Sequence, residues 1–208
     1  MINEKPDRRK PWDAKLAERL VSPLCDLPLV HPNLFTSGRL AVGLLGAWLF
    51  SLGTANTTAA LCFAFSNFLD HFDGELARMT NRTTKFGHYY DLISDFLVTA
   101  GTFFCIGVGI AAQDENSWTI IMGAITGVSI MIIFQLRNLI EESEGKDGTT
   151  QPSFFGFEAE DVLYLLPLVT IFDLLESFLI LATLGAPLAA ILVAIQFINV
   201  FRGRRNNL

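Results

Sequence analysis

The segment DHFDGELARMTNRTTKFGHYYDLISD, which runs from Asp70 to Asp95, places four aspartates beside long apolar runs. Residues 61–69 precede the segment and residues 96–112 follow it, and both stretches are mostly apolar. Carboxylates next to membrane-length apolar runs are costly to bury, so they are candidates for function. We therefore expect the functional site of this chain to lie in this segment.

The spacing of the aspartates predicts two helices whose acidic faces meet. Residues three or four positions apart lie on the same side of a helix, which groups Asp70 with Asp73 and Asp91 with Asp95. A short polar turn at residues 79–86 would join the two helices as a hairpin. Four converging carboxylates repel one another unless cations lie between them. Because oxygen ligands favour hard cations, the segment predicts one or two Mg²⁺ or Mn²⁺ ions.

The same segment contains the pattern D-x2-D-G-x2-A-R-x8-G-x3-D-x3-D. This pattern resembles the signature of the CDP-alcohol phosphotransferase family of integral membrane enzymes, also called the CDP-alcohol phosphatidyltransferase family. Members of that family move a substituted phosphate group from a CDP-linked donor to the hydroxyl of an alcohol, and they release CMP. The resemblance therefore implies an enzyme of phospholipid synthesis.

The resemblance also implies roles for the residues of the pattern. The metal centre would be surrounded by Asp70, Asp73, Asp91 and Asp95. Asp91 and Asp95 would be catalytic, and Asp95 would be the general base that takes the proton of the acceptor hydroxyl. The CDP pocket would be shaped by Gly74, Ala77, Arg78 and Gly87. Without the pattern, close packing of membrane helices would be the preferred explanation for Gly74 and Ala77.

A second pattern precedes the first long apolar run and reads Pro32-Asn33-x-x-Thr36-x-x-Arg39. It is similar to the P-N-x-x-T-x-x-R segment that opens the first transmembrane helix in many members of the same family. The resemblance implies that Asn33 and Thr36 lie near the nucleotide. Taken alone, Pro-Asn before a helix is also ordinary capping chemistry.

The composition is typical of a protein that crosses a membrane several times. The chain has 208 residues, of which 51% are hydrophobic and 17% are charged, and its mean hydropathy is +0.42. Several apolar runs approach the roughly 20 residues that a spanning helix needs; they are 35–52, 59–77, 87–112, 118–136, 154–172 and 178–201. We therefore predict an all-α membrane protein with six transmembrane helices. Such a compact chain resembles bacterial members of the family, which favours CDP-diacylglycerol as the donor.

The N-terminal part of the chain differs from the rest. We predict a cytoplasmic N-terminal segment at residues 1–30 and a transmembrane catalytic domain at residues 31–208. The segment begins with charged residues and no apolar run follows at once, so we expect no cleavable signal peptide. One helical face within residues 12–22 is apolar and consists of Trp12, Leu16, Leu20 and Val21. This pattern predicts an amphipathic helix at the membrane surface.

The basic residues indicate the orientation in the membrane. With six spans, all 15 lysines and arginines fall on the side of the termini. The connections on the opposite side, around residues 55, 115 and 175, contain none. The positive-inside rule then places both termini and the aspartate-rich segment in the cytoplasm. We expect an integral protein of the bacterial plasma (inner) membrane.

The acceptor alcohol is not specified by the sequence. Charged residues of both signs lie near the predicted cytoplasmic face, and the preferred acceptor contacts are Arg137, Glu158 and Asp161. Basic residues would suit a phosphorylated alcohol such as glycerol phosphate or inositol phosphate. Acidic residues would suit a cationic alcohol such as choline or ethanolamine. Both possibilities remain open.

Other functions are compatible with part of the pattern. The first is transfer of a headgroup from CDP-choline or CDP-ethanolamine to a lipid alcohol. An intramembrane prenyltransferase also uses aspartates and Mg²⁺, but it usually needs two aspartate-rich motifs. A divalent-cation carrier would need polar residues deeper in several spans. We expect the lipid bilayer, a CDP-linked lipid donor and an alcohol as partners, no nucleic acid, and the homodimer that the resemblance implies.

Overall fold

The computed structural model describes residues 12–25, 31–114, 117–144 and 163–206. The regular elements in these residues are all helical, which confirms the predicted all-α class. The described α-helices are α1 (Trp12–Val21), α2 (Pro32–Ser51), α3 (Asn56–Met79), α4 (Lys85–Asp114), α5 (Trp118–Glu144), α6 (Leu166–Ile171) and α7 (Leu175–Asn206). The five long helices, α2 to α5 and α7, build the body of the molecule.

Four of the described helices are long and apolar enough to cross a membrane, and they are Pro32–Ser51, Lys85–Asp114, Trp118–Ile140 and Leu175–Arg202. They agree with the first, third, fourth and sixth predicted runs. Helix α3 has 24 residues but is not among the four, and its last turns carry the acids of the central segment. Most of the fifth predicted run, 154–172, lies outside the described residues. The total of six spans therefore stays a prediction.

Local sequence sets the ends of the helices that carry the site. His31 precedes α2, and its Nδ1 accepts a hydrogen bond from the Asn33 N–H at 3.3 Å. Thr84 precedes α4, and its hydroxyl accepts a hydrogen bond from the Gly87 N–H at 2.9 Å. The chain leaves α3 through Asn81 with φ of 53°, a left-handed conformation that asparagine adopts more readily than most residues. The polar turn between α3 and α4 thus forms where the sequence predicts it.

Helix α2 packs against both α3 and α4. Gly43 of α2 fits against Ser66 of α3 and Val98 of α4, and a Cβ at Gly43 would lie 2.6 Å from the Val98 side chain. At the opposite end, the carbonyl of Gly53 accepts a hydrogen bond from the side chain of Gln113. This packing brings the start of α2, the end of α3 and the start of α4 together at one end of the molecule.

Helices α5 and α7 form a second pair beside α4. The rings of Phe103 on α4 and Phe178 on α7 stack with their centroids 6.3 Å apart. The hydroxyl oxygens of Thr126 on α5 and Thr183 on α7 are 3.1 Å apart and share a hydrogen bond. Helix α5 of this pair provides part of the wall of the space in front of the acids.

Helix α1 forms as predicted, but its predicted apolar face is only partly correct. Ala17 and Val21 are fully buried against Phe72 of α3 and its neighbours. Leu16 and Leu20 are 42% and 48% exposed. The helix therefore docks on α3 through Val21 of the predicted face together with Ala17, which the prediction did not include. Leu16 and Leu20 remain an exposed apolar edge, as a helix at a membrane surface needs.

Candidate active site

Three of the four predicted metal ligands converge. Asp70 lies on α3, and Asp91 and Asp95 lie one turn apart on α4. One carboxylate oxygen from each lies within 4.8 Å of the other two. The helical spacing and the hairpin between α3 and α4 produce this cluster, as the sequence predicts. The three residues form what we call the acid cluster.

Asp73, the fourth predicted ligand, is turned towards α2 instead. Its Oδ2 accepts a hydrogen bond of 2.6 Å from the hydroxyl of Thr36, and only 4% of the residue is exposed. The Thr36 hydroxyl is also buried and lies 3.3 Å from the carbonyl of Pro32. Thr36 therefore positions Asp73 through a charge-assisted hydrogen bond. Contact of Thr36 with a nucleotide stays a prediction.

Arg39 lies in the site, although the sequence interpretation assigned it no role. It is 1% exposed, and its guanidinium is surrounded by carboxylates. Nη1 lies 3.1 Å from Asp70 and 2.7 Å from Asp95. Nη2 lies 2.6 Å from Asp91, and Nε lies 3.6 Å from Asp73. A signal existed, since a lone arginine inside an apolar run is costly and is usually paired.

The residues expected to shape the CDP pocket lie at the start of α2, in the last turns of α3 and at the start of α4. Gly87, at the start of α4, lies beside Asn33 of α2, so that a Cβ there would be 3.2 Å from Asn33 Oδ1. Arg78 has a side chain that is 54% exposed, and its Nε donates to the Gly74 carbonyl at 3.2 Å. Ala77, which precedes Arg78 in α3, is half-buried. Three of these five residues, Gly74, Ala77 and Gly87, have little or no side chain, and the other two are polar.

A polar cavity of about 230 Å³ opens beside the acid cluster. Its wall contains three polar residues that the sequence interpretation did not select, namely Asn67, Thr99 and Asn138. Asn67 lies one turn before Asp70 on α3, and Thr99 lies one turn after Asp95 on α4. These two residues could have been predicted from the sequence, because they lie three or four positions from an aspartate on the same helix. Asn138 comes from α5, and no local pattern connects it with the acids.

A larger cavity of about 460 Å³ lies between α4, α5 and α7, and its lining is almost entirely apolar. Phe134 and Leu163 line both this cavity and the polar one, so the two spaces share a wall. Arg137, a predicted acceptor contact, lines the apolar cavity. The other two predicted acceptor contacts, Glu158 and Asp161, lie outside the described residues.

The residues of the cluster fit a divalent metal ion. Asp70, Asp91 and Asp95 offer three carboxylate oxygens at mutual distances that one cation can bridge, and hard cations such as Mg²⁺ prefer oxygen ligands. Asp73 lies one turn along α3 but is held by Thr36. The structure therefore supports a three-carboxylate site, with Asp73 beside it.

Comparison with known proteins gives a consistent family match. The family model described as CDP-alcohol phosphatidyltransferase matches residues 29–201. A CDP-diacylglycerol–glycerol-3-phosphate 3-phosphatidyltransferase of Yersinia pestis (strain Pestoides F) is 32% identical over 103 residues, which are 49% of this chain and 53% of that protein. The protein of the same name from Escherichia coli (strain K12) is 32% identical over 99 residues, which are 47% and 51% of the two chains. The chain spans about half the length of these relatives.

A solved structure has a similar fold. It is the crystal structure of Mycobacterium tuberculosis phosphatidylinositol phosphate synthase with CDP-DAG bound, which aligns with a TM-score of 0.59 and 21% sequence identity. The alignment covers 90% of this chain and 92% of that chain. The helical arrangement described above is therefore one that an experimental structure also has.

Proposed function

The chain belongs to the CDP-alcohol phosphatidyltransferase family, and we propose that it transfers a phosphatidyl group from CDP-diacylglycerol to the hydroxyl of a small alcohol, with release of CMP. Like the family, it is an integral membrane protein. One observation carries the proposal: the acid cluster of Asp70, Asp91 and Asp95 lines a polar cavity that shares a wall with a large apolar one. A charged reaction centre and a lipid chain can thus lie side by side.

The apolar cavity supports a lipid substrate next to the reaction centre. Its wall is formed by side chains such as Phe103, Ile133 and Leu181, which suit an acyl chain. A lipid alcohol as acceptor would also fit this space. The names of the relatives and of the similar structure support the donor as the lipid-bearing substrate, because all of them mention CDP-diacylglycerol or CDP-DAG.

We propose that Asp70, Asp91 and Asp95 hold one or two Mg²⁺ or Mn²⁺ ions, with Asp73 as a further ligand through the carboxylate oxygen that Thr36 does not bind. When bound, such ions neutralise the diphosphate of the donor and the charge that develops on the leaving phosphate. The protein contributes the arrangement, because α3 and α4 hold the carboxylates in place before any substrate arrives. Such preorganisation reduces the reorganisation needed during reaction.

Asp95 is our proposed general base. It lines the polar cavity, where an acceptor hydroxyl can approach its carboxylate. The hydroxyl oxygen attacks the phosphorus that bears the diacylglycerol, and a new P–O bond forms. The bond from that phosphorus to the oxygen of the CMP phosphate breaks, and the hydroxyl proton passes to Asp95. Asp91, one turn away on α4, orients the reacting groups together with Asp95.

The cytidine diphosphate would lie at the mouth of the site. Gly74, Ala77 and Gly87 have little or no side chain there, so a flat base or a ribose can approach the backbone. Asn33 lies beside Gly87 and can donate to the nucleotide. The largely exposed Arg78 can make charge-assisted contacts with phosphate oxygens.

For the acceptor, we propose a phosphorylated alcohol. Arg137 and Asn138 are neighbours on α5, and they line the apolar and the polar cavity respectively. An arginine at this junction suits a phosphate group. The relatives are named for glycerol-3-phosphate, and the similar structure is named a phosphatidylinositol phosphate synthase. Glu158 and Asp161 remain candidate contacts for the hydroxyls of the acceptor.

We further propose six spans, with α3 and residues 154–172 as the two that complete the four apolar helices. Helix α3 packs against α2, α1 and α6, which supports its place in the bundle. Basic residues lie near the C-terminus of α3, the N-terminus of α4 and the C-terminus of α7. We infer that these helix ends share one side of the membrane with the acid cluster, which supports a cytoplasmic site. The family match begins at residue 29, which supports a catalytic domain that starts near residue 31.

The test is CMP release by the purified protein. With Mg²⁺ or Mn²⁺ and CDP-diacylglycerol, it should release CMP with glycerol 3-phosphate or inositol 1-phosphate, and release much less with inositol, serine or choline. CDP-choline with diacylglycerol serves as the comparison, because it tests transfer of a headgroup to a lipid alcohol. Absence of CMP with every CDP-linked donor would refute the proposed function.

A further inference from the structure

Arg39 lies at the centre of the carboxylates rather than beside them. Its Nη1 donates to Asp95 Oδ1 at 2.7 Å and its Nη2 donates to Asp91 Oδ1 at 2.6 Å. Its Nη1 also lies 3.1 Å from Asp70 Oδ1. These three aspartates form the acid cluster, so Arg39 contacts each carboxylate that a divalent cation would bind.

The position of Arg39 is fixed by its surroundings. The hydroxyl of Ser66 on α3 donates to the Arg39 carbonyl at 2.8 Å. One turn earlier on α2, the hydroxyl of Thr36 donates to Asp73, whose carboxylate lies 3.6 Å from Arg39 Nε. Arg39 is thus anchored through its backbone carbonyl, and its guanidinium is held by ion pairs. Because the residue is only 1% exposed, the guanidinium cannot reach solvent without a rearrangement.

The charges in this group do not balance. Four carboxylates and one guanidinium carry a net formal charge of −3. Like charges at such distances repel strongly in a protein interior. Arg39 is therefore essential to the cohesion of the group without a metal ion, but it also places a positive charge against any divalent cation that enters.

We propose that Arg39 is a built-in counter-ion that holds Asp70, Asp91 and Asp95 together in the metal-free protein and competes with the divalent cation for the same oxygens. This inference rests on the proposed function, since that function has the acid cluster bind a divalent cation. Arg39 is a positioning residue in this scheme. It keeps the site formed before the cation binds, and it lowers the affinity for the cation.

The experiment measures Mn²⁺ binding and thermal unfolding in detergent, without substrate. Arg39→Gln removes the charge, Arg39→Lys keeps the charge without the planar fork, and Lys85→Gln removes an exposed charge at the start of α4 as a control. Free Mn²⁺ is followed by electron paramagnetic resonance. Unfolding temperatures are recorded in EDTA and in saturating Mn²⁺.

Arg39→Gln should bind Mn²⁺ about tenfold or more tightly than the wild type, because a unit positive charge at contact distance is removed. It should unfold at a lower temperature in EDTA, and saturating Mn²⁺ should restore most of that loss. Arg39→Lys should be intermediate in both measurements, since an ammonium cannot contact all the carboxylates at once. Lys85→Gln should match the wild type within about twofold in Mn²⁺ affinity.

Some outcomes would overturn the proposal. Weaker or unchanged Mn²⁺ binding by Arg39→Gln would do so, as would an equal loss of stability with and without Mn²⁺. If the variant can be purified only with Mn²⁺, chelation should unfold it while the wild type stays folded. A variant that is unfolded even in saturating Mn²⁺ would show a purely structural role. Failure of the wild type to bind Mn²⁺ would instead refute the metal site of the proposed function, and the counter-ion role with it.

Discussion

The acid cluster and the apolar cavity share a wall, yet they are built in different ways. In the cluster, Asp70, Asp91 and Asp95 are fixed by hydrogen bonds and ion pairs to single atoms of Arg39. In the cavity, bulky apolar side chains from three helices enclose a volume, and no single atom is essential. Bond-making chemistry depends on position within fractions of an ångström, whereas apolar binding depends mainly on volume. Substitutions in the two regions should therefore differ greatly in effect.

The largest effect is expected for Asp95→Asn. The amide cannot accept the proton of the acceptor hydroxyl, so turnover should fall by about 10²-fold or more. Binding of CDP-diacylglycerol should persist, because the residues proposed to contact the CDP group are unchanged. Single-turnover CMP release and a direct binding assay check the two parts. Asp173→Asn, an exposed aspartate beyond α6, is the matched control. Normal turnover of Asp95→Asn would show that another group is the base.

Thr36→Val should have the next largest effect. It removes the hydroxyl that holds Asp73 at 2.6 Å, with little change in shape. A hydrogen bond to a charged group is worth about 1.5–3 kcal/mol, so turnover should fall about tenfold or more. Thr170→Val removes a hydroxyl that donates to the carbonyl of Pro167 in its own helix, and it serves as the control. If Thr36→Val were fully active, the position of Asp73 would be irrelevant to the reaction.

Arg137→Gln should separate the two substrates. If Arg137 contacts the phosphate of the acceptor, loss of its charge should raise the KM for that acceptor about tenfold. The KM for CDP-diacylglycerol should stay within about twofold. Steady-state kinetics with each substrate varied in turn provide the measurement, and Arg202→Gln at the end of α7 is the control. An equal rise in both KM values would contradict the acceptor role.

The smallest effect is expected for Ala186→Leu, which adds bulk to the wall of the apolar cavity. Reduced volume should lower kcat/KM for a dioleoyl donor about threefold to tenfold. A dioctanoyl donor, which needs less space, should be affected much less, and it serves as the control within the same variant. Equal losses for the two donors would mean that the acyl chains bind elsewhere.

The central site could be predicted from the sequence because its geometry is mostly local. Asp91 and Asp95 are four residues apart, so they point about 40° apart on one helix, and a short hairpin brings Asp70 opposite them. Asp73 follows Asp70 by three residues, which turns it about 60° in the other direction. That rotation carries Asp73 towards α2, where Thr36 and Arg39 bind it.

The other features of the site depend on how distant helices pack. The guanidinium of Arg39 contacts carboxylates that are 31 to 56 positions away, and α2 approaches α3 and α4 closely at Gly43, one turn further along. Asn138 reaches the polar cavity from α5. Apolar periodicity shows that such helices pack, but not which faces meet. For the same reason, the docking of α1 through Ala17 differs from the predicted apolar face.

The most direct test locates the metal ion. Crystals of the protein grown with Mn²⁺ and CDP-diacylglycerol, measured near the manganese absorption edge, should show anomalous density between Asp70, Asp91 and Asp95 and next to the donor diphosphate. The proposed function predicts this peak in a preparation that releases CMP. Anomalous density elsewhere, or none at this cluster in protein that releases CMP in a Mn²⁺-dependent manner, would contradict the central claim.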